Sequence, residues 1–117
     1  MPNYLLFLYE AADAFAETSP DEMQAIIQKY SDWRQRLHKN GVIVGGEKLQ
    51  DGTGRVMRRA GGETSVVDGP YTESKEIIGG FFEIKADNYD QAVETARDCP
   101  HLEYGTIELR EIEVIHE

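Results

Sequence analysis

Two short apolar runs, Asn-Tyr-Leu-Leu-Phe-Leu-Tyr at 3–9 and Gly-Gly-Phe-Phe-Glu-Ile-Lys-Ala at 79–86, constrain this chain most. The first is apolar at every alternating position, and a strand with two apolar faces needs cover on both sides. Both runs therefore read as central strands of one sheet. A 117-residue chain with 40% hydrophobic and 29% charged residues has the composition of one globular domain, 1–117, large enough for its own core. The same composition excludes a disordered, collagen-like or coiled-coil chain.

The first helix has explicit start and stop signals. Ser19-Pro20-Asp21-Glu22 supplies an N-cap, a proline at the first helical position and a glutamate at capping-box spacing. Met23, Ile26, Ile27, Tyr30, Trp33 and Leu37 recur at helical spacing as one buried stripe, and Asn40-Gly41 ends the element, which predicts a helix over 20–39. A strand at 42–47 follows. The runs 55–59 and 63–67, joined by Ala60-Gly61-Gly62, predict a hairpin. Residues 68–78 read as irregular, with one helical turn around Thr72–Glu76. A second helix at 88–99, capped by Asp87 or Asn88 and stopped by Pro100, buries Tyr89, Ala92, Val93 and Ala96. The last strand, 104–115, changes parity between Leu109 and Ile112, which predicts a bulge near Arg110-Glu111.

Without the hairpin insertion the order is βαββαβ, an α+β ferredoxin-like pattern with strand order 4-1-3-2. That topology gathers the ends of the first two strands (Tyr9, Glu10 and Glu47), Gly79, the insertion 48–78 and residues 101–104 at one end of the sheet. Of three histidines only His101 falls there. Helices on one sheet face leave apolar residues on the other, so the chain is expected to pair as a homodimer.

Twelve Lys and Arg against 22 Asp and Glu give a net charge of −10, which repels phosphate backbones and argues against nucleic-acid partners. No apolar run approaches membrane-spanning length, the N-terminus lacks the basic region of a signal peptide, and a lone Cys99 forms no intrachain disulfide. A cytoplasmic protein is expected. Metal-ligand spacing, phosphate-binding glycine loops and nucleophile elbows are absent, so neither a metal nor another cofactor is expected.

Residues 68–80, Asp-Gly-Pro-Tyr-Thr-Glu-Ser-Lys-Glu-Ile-Ile-Gly-Gly, closely resemble the signature of DGPF-type domains in the YCII-related superfamily, with Tyr71 in place of the usual phenylalanine. Gly45-Gly46-Glu47-x-Leu49 and Arg97-Asp98-Cys99-Pro100 extend the resemblance over nearly the whole chain. It implies a dimeric α+β barrel of ferredoxin-like protomers. For some relatives it implies cofactor-free acid–base chemistry on small molecules by a His–Asp pair.

Two functions follow. In the first, a small-molecule isomerase- or lyase-type enzyme uses Asp68 and His101 as acid and base, with Glu47 auxiliary. Tyr71, Glu73, Lys75 and Tyr9 would then orient substrate. In the second, the chain is a non-catalytic ligand-binding or accessory module. Each residue also has a structural reading. Asp68 before Gly-Pro is ordinary turn chemistry, the 73–76 charges suit a solvated loop, and a histidine after Cys-Pro is usually exposed. Tyr9 and Tyr71 suit packing, and Trp33 the core. The two functions separate on burial: an enzyme needs Asp68 and Glu47 in a concave pocket.

Overall fold

The structure is a computed structural model that describes residues 1–69 and 75–115. Strands β1 (Asn3–Ala11), β2 (Ile43–Lys48), β5 (Glu76–Lys85) and β6 (Thr106–Glu111) form one antiparallel sheet in the order β2-β5-β1-β6. Strands β3 (Arg55–Ala60) and β4 (Glu63–Asp68) form a separate hairpin. Helices α1 (Pro20–Lys39) and α2 (Tyr89–Ala96) complete the α+β fold. The four sheet strands have the expected order, with the two apolar runs central.

Capping physics fixes α1. Ser19 Oγ accepts from the Glu22 backbone N–H at 3.2 Å and donates to the Glu22 carboxylate at 3.1 Å. Beyond Asn40 the chain turns through Gly41 at φ +70°, a conformation that favours glycine. In the hairpin, Gly61 and Gly62 both have positive φ, as a primed two-residue turn requires.

Inward positions Tyr4, Leu6 and Leu8 of β1 and Phe82 and Ile84 of β5 pack with Trp33, Leu37, Ala92, Ala96 and Cys99 as the core. Trp33 meets Phe82 edge-on at 5.1 Å between ring centroids. The other face of the sheet carries partly buried Leu5, Phe7 and Phe81, with no helix over it among the described residues.

Local expectations are corrected in four segments. The α1 stripe is buried only at Trp33 and Leu37; Met23, Ile26 and Tyr30 are half-buried and Ile27 is 48% exposed. Glu76–Ile78 is strand, not loop, while the expected helical turn at 72–76 falls largely on residues 70–74, outside the described residues. Helix α2 stops at Ala96, with Tyr89 and Val93 exposed, and Pro100–Glu103 forms a 3₁₀ turn instead. The last strand begins at Thr106 and ends at Glu111 without a bulge. Its partner β1 begins at Asn3, and the final rung is Ile112 N–H to Asn3 O at 2.8 Å. Ile112 and Val114 are consequently exposed.

Bulges lie instead in β2, where Val44 is the extra residue against β5, and in β5. Leu8 pairs with Gly80 and Tyr9 with Ile78, leaving Gly79 as the extra residue. The hairpin projects from the sheet, and the Cα radius of gyration, 16.3 Å, exceeds the ~13 Å expected of a compact chain of this length. Among the described residues no helix is long and apolar enough to cross a membrane.

Candidate active site

The N-terminal half of α1 stands off the sheet, and the gap is a cavity of about 250 Å³. Met23, Ile26, Ile27 and Tyr30 form its helical wall; Leu8, Glu10, Gly79, Gly80 and Phe82 form its sheet wall. Phe15, Arg34, Glu47, Lys48 and His101 close the remainder. The walls are mainly apolar, so each polar group matters.

Glu10 is the least expected of these. It occupies an inward position of β1, after Tyr4, Leu6 and Leu8, and is 6% exposed. The Gly79 bulge makes its room: a Cβ at Gly79 would fall on Glu10 Oε1. Burial raises its carboxyl above the ordinary carboxylate range. Asp51 adds to that rise and Lys48 opposes it, and no hydrogen-bond donor among the described residues contributes. Lys48 Nζ is itself held by Asp51 at 3.1 Å and Leu49 O at 3.0 Å.

His101, in the 3₁₀ turn, is buried at 1% exposure rather than exposed. Its Nε2 lies 2.8 Å from Tyr9 O and its Nδ1 2.8 Å from Tyr30 Oη. A carbonyl only accepts, so Nε2 carries the proton. Burial lowers the His101 pKa and favours the neutral ring, so Nδ1 accepts from the Tyr30 hydroxyl. Both ring nitrogens are thereby occupied. The Tyr30 hydroxyl, its proton committed to His101, offers the cavity only acceptor lone pairs. Burial also pushes the Tyr30 phenol well above its usual range. Gly105 permits this arrangement, because a Cβ there would collide with Tyr9 O and lie 2.9 Å from His101 Nε2. Neighbouring Cys99 is buried, and its thiol is pushed up to about 11, as an inert core thiol.

The sequence-predicted residues divide. His101 and Glu47 line the cavity, Glu47 exposed at its mouth rather than buried. Asp68 ends β4 with its side chain 92% exposed, 3.6 Å from Arg55 Nη1, and does not line the cavity. The Tyr9 side chain points to the other face of the sheet, where its hydroxyl donates to Glu108 at 3.0 Å; only its backbone carbonyl serves the site. Lys75 is exposed just before β5 and is not part of the cavity lining. Tyr71 and Glu73 lie outside the described residues.

Sequence reasoning placed Glu10 at this end of the sheet but gave it no role, and it missed Tyr30 and Arg34 as site residues. The signal for Glu10 was present: a carboxylate that continues the inward parity of residues 4, 6 and 8 is a charge aimed at a core. Tyr30 and Arg34 sat on a helix whose apolar stripe gave no hint of a gap. Among the described residues, no group of three His, Cys, Asp or Glu side chains is arranged to hold a metal ion.

The profile of the YCII-related domain matches residues 3–116. The chain belongs to the YCII-related family. An uncharacterised protein of Rhizobium meliloti is 27% identical over 104 residues, covering 88% of this chain and 84% of its own length. Among solved structures, a 5-chloro-2-hydroxyhydroquinone dehydrochlorinase from Burkholderia phenoliruptrix, in complex with 2,5-dihydroxybenzoquinone, is similar over 95% of this chain and 93% of its own, at 16% identity and a TM-score of 0.49. Membership places the matched segment from β1 through β6 in one family unit; the cavity residues define what this member can do.

Proposed function

We propose that this YCII-related protein is an enzyme that moves a proton on a small, mainly apolar molecule without an organic cofactor, in isomerase- or lyase-type chemistry. The observation that carries the reading is the buried Glu10 carboxyl, displaced upward and facing an apolar cavity, with no hydrogen-bond donor on it among the described residues. A carboxyl raised toward neutrality suits general acid–base work in water-poor surroundings. The cavity, below the roughly 300–1,000 Å³ of drug-sized sites, selects a small substrate. Arg34 and Lys48 would stabilise negative charge that develops when Glu10 removes a proton. Tyr30 would accept a hydrogen bond from substrate, and His101 would position Tyr30. Glu47 keeps an auxiliary place at the mouth, and Asp68 stays with Arg55 as a structural corner.

The reading includes a homodimer. The partly buried apolar residues on the helix-free sheet face and the large radius of gyration support pairing through that face. Light scattering is expected to report twice the 13.2 kDa chain mass; a monomer at micromolar concentration counts against it.

The deciding experiment is a thermal-shift screen of small carbonyl and phenolic compounds on the wild type, Glu10→Gln and Asp68→Asn. A compound that stabilises the wild type and Asp68→Asn and exchanges a carbon-bound proton only when Glu10 is present supports the proposal. Unchanged exchange in Glu10→Gln defeats it. The exposure of Asp68 favours a second reading, a non-catalytic binding module; in that case ligands bind and no exchange depends on Glu10.

A further inference from the structure

Beside the cavity, α1 and the edge strand β2 enclose a second, open groove of about 640 Å³. Its helical wall is Ser31, Arg34, Gln35, His38 and Lys39, spaced i, i+3, i+4, i+7, i+8 along one face of α1. Among the described residues no carboxylate lines it, although acids outnumber bases 22 to 12 in this chain. Several other cations close onto carboxylates, as in Lys29–Glu103, Arg36–Asp98 and Arg97–Glu94. Arg34 and Lys39 take part in no such ion pair among the described residues. Arg34 Nη1 donates to Gly46 O at 3.0 Å, which fixes the guanidinium and leaves its remaining N–H groups available. The helix dipole accounts for His38 and Lys39 in the last turn, but not for Arg34 a turn earlier.

Ser31 and Arg34 line both the groove and the cavity, so the two hollows share a wall. We propose that the groove is an anion subsite and that the natural ligand is amphiphilic. Its compact apolar head enters the cavity toward Glu10, and its carboxylate or phosphate tail lies against Arg34, His38 and Lys39. The placement of the head rests on the cavity reading above; the groove rests on its own charge and shape. Gly45 offers a clean perturbation, since it borders the groove and a Cβ there meets nothing within 4 Å.

The test has two arms. In the first, pyrophosphate alone is titrated while backbone amide resonances are followed by NMR. Shifts are expected at 34–39, reduced by added salt and lost in Gly45→Glu but retained in Gly45→Gln. No shift at these residues overturns the groove whatever the cavity does. In the second arm, 3-phenylpropyl phosphate, 4-phenylbutyrate and neutral 4-phenylbutanol are titrated calorimetrically. Both anions are expected to bind about tenfold more tightly than the alcohol. Lys39→Gln is expected to weaken the anions about threefold and leave the alcohol unchanged, as loss of one exposed charge contact does. A gain for only one anion assigns the tail as phosphate or as carboxylate. If the alcohol binds as tightly as both anions, the amphiphilic ligand is refuted and the cavity reading stands. If pyrophosphate shifts 34–39 but no aromatic probe reaches the cavity, the cavity reading and the joined ligand both fall.

Discussion

Replacing Tyr30 with phenylalanine removes one oxygen and tests the geometry around His101. The hydroxyl donates to His101 Nδ1 at 2.8 Å, on a ring only 1% exposed. If cavity water takes its place, the variant loses about 1 kcal/mol, the net contribution of one hydrogen bond. If Nδ1 is left without a donor, the loss approaches about 3 kcal/mol. For a chain of this size about 4 °C of melting temperature corresponds to 1 kcal/mol, so calorimetry is expected to show a drop of about 4–12 °C. Proton–nitrogen correlation NMR is expected to show a neutral His101 ring protonated at Nε2 in both proteins, because the Tyr9 carbonyl is untouched. The pH dependence follows from the lowered folded-state pKa. The unfolded chain takes up the His101 proton first as pH falls below 6.5, so stability declines from there through the folded-state pKa and levels off below it. Without the Tyr30 donor the neutral ring loses a stabilising bond, its pKa rises, and that decline shrinks in Tyr30→Phe. An unchanged melting temperature, a ring protonated at Nδ1, or an imidazolium at pH 6.5 would refute the reasoning.

Two further outcomes are expected. Glu10 has the opposite sign to His101: its raised folded-state pKa means that stability declines as pH rises from 4.5 through that pKa, by about 1.4 kcal/mol per unit of displacement. Glu10→Gln removes this decline, so its melting temperature gains on that of the wild type as pH rises above 4.5; a pH-independent difference contradicts the burial argument. Gly105→Ala drives a Cβ into Tyr9 O and is expected to cost about 1–3 kcal/mol, whereas Gly45→Ala, which meets nothing within 4 Å, is expected to stay within about 0.5 kcal/mol of wild type in chemical denaturation.

The candidate site was legible only in part, and the particular residues show why. His101 reached the site because strand topology alone carries it to the polar end of the sheet. Its burial did not follow from topology; it depends on Gly105 letting the ring approach Tyr9 O. Asp68 shares that end of the chain path, but the hairpin carries its carboxylate into solvent beside Arg55. Glu10 was placed at that end, but its inward burial was not foreseen, because the apolar strand was read as 3–9 while pairing with β5 extends it to Ala11.

The amino-acid sequence by itself determined the two helix starts, the hairpin turn and the central position of the two apolar strands. Capping, positive-φ glycines and hydrophobic period act over a few residues and need no knowledge of the rest of the chain. Only the tertiary structure decided which half of the α1 stripe is core and which half is cavity wall. Periodicity says which side of a helix is apolar, not how far away the opposing layer lies. Trp33 against Phe82 fills one end of that space, and at the other end the Gly79-Gly80 segment with the inward Glu10 leaves it open.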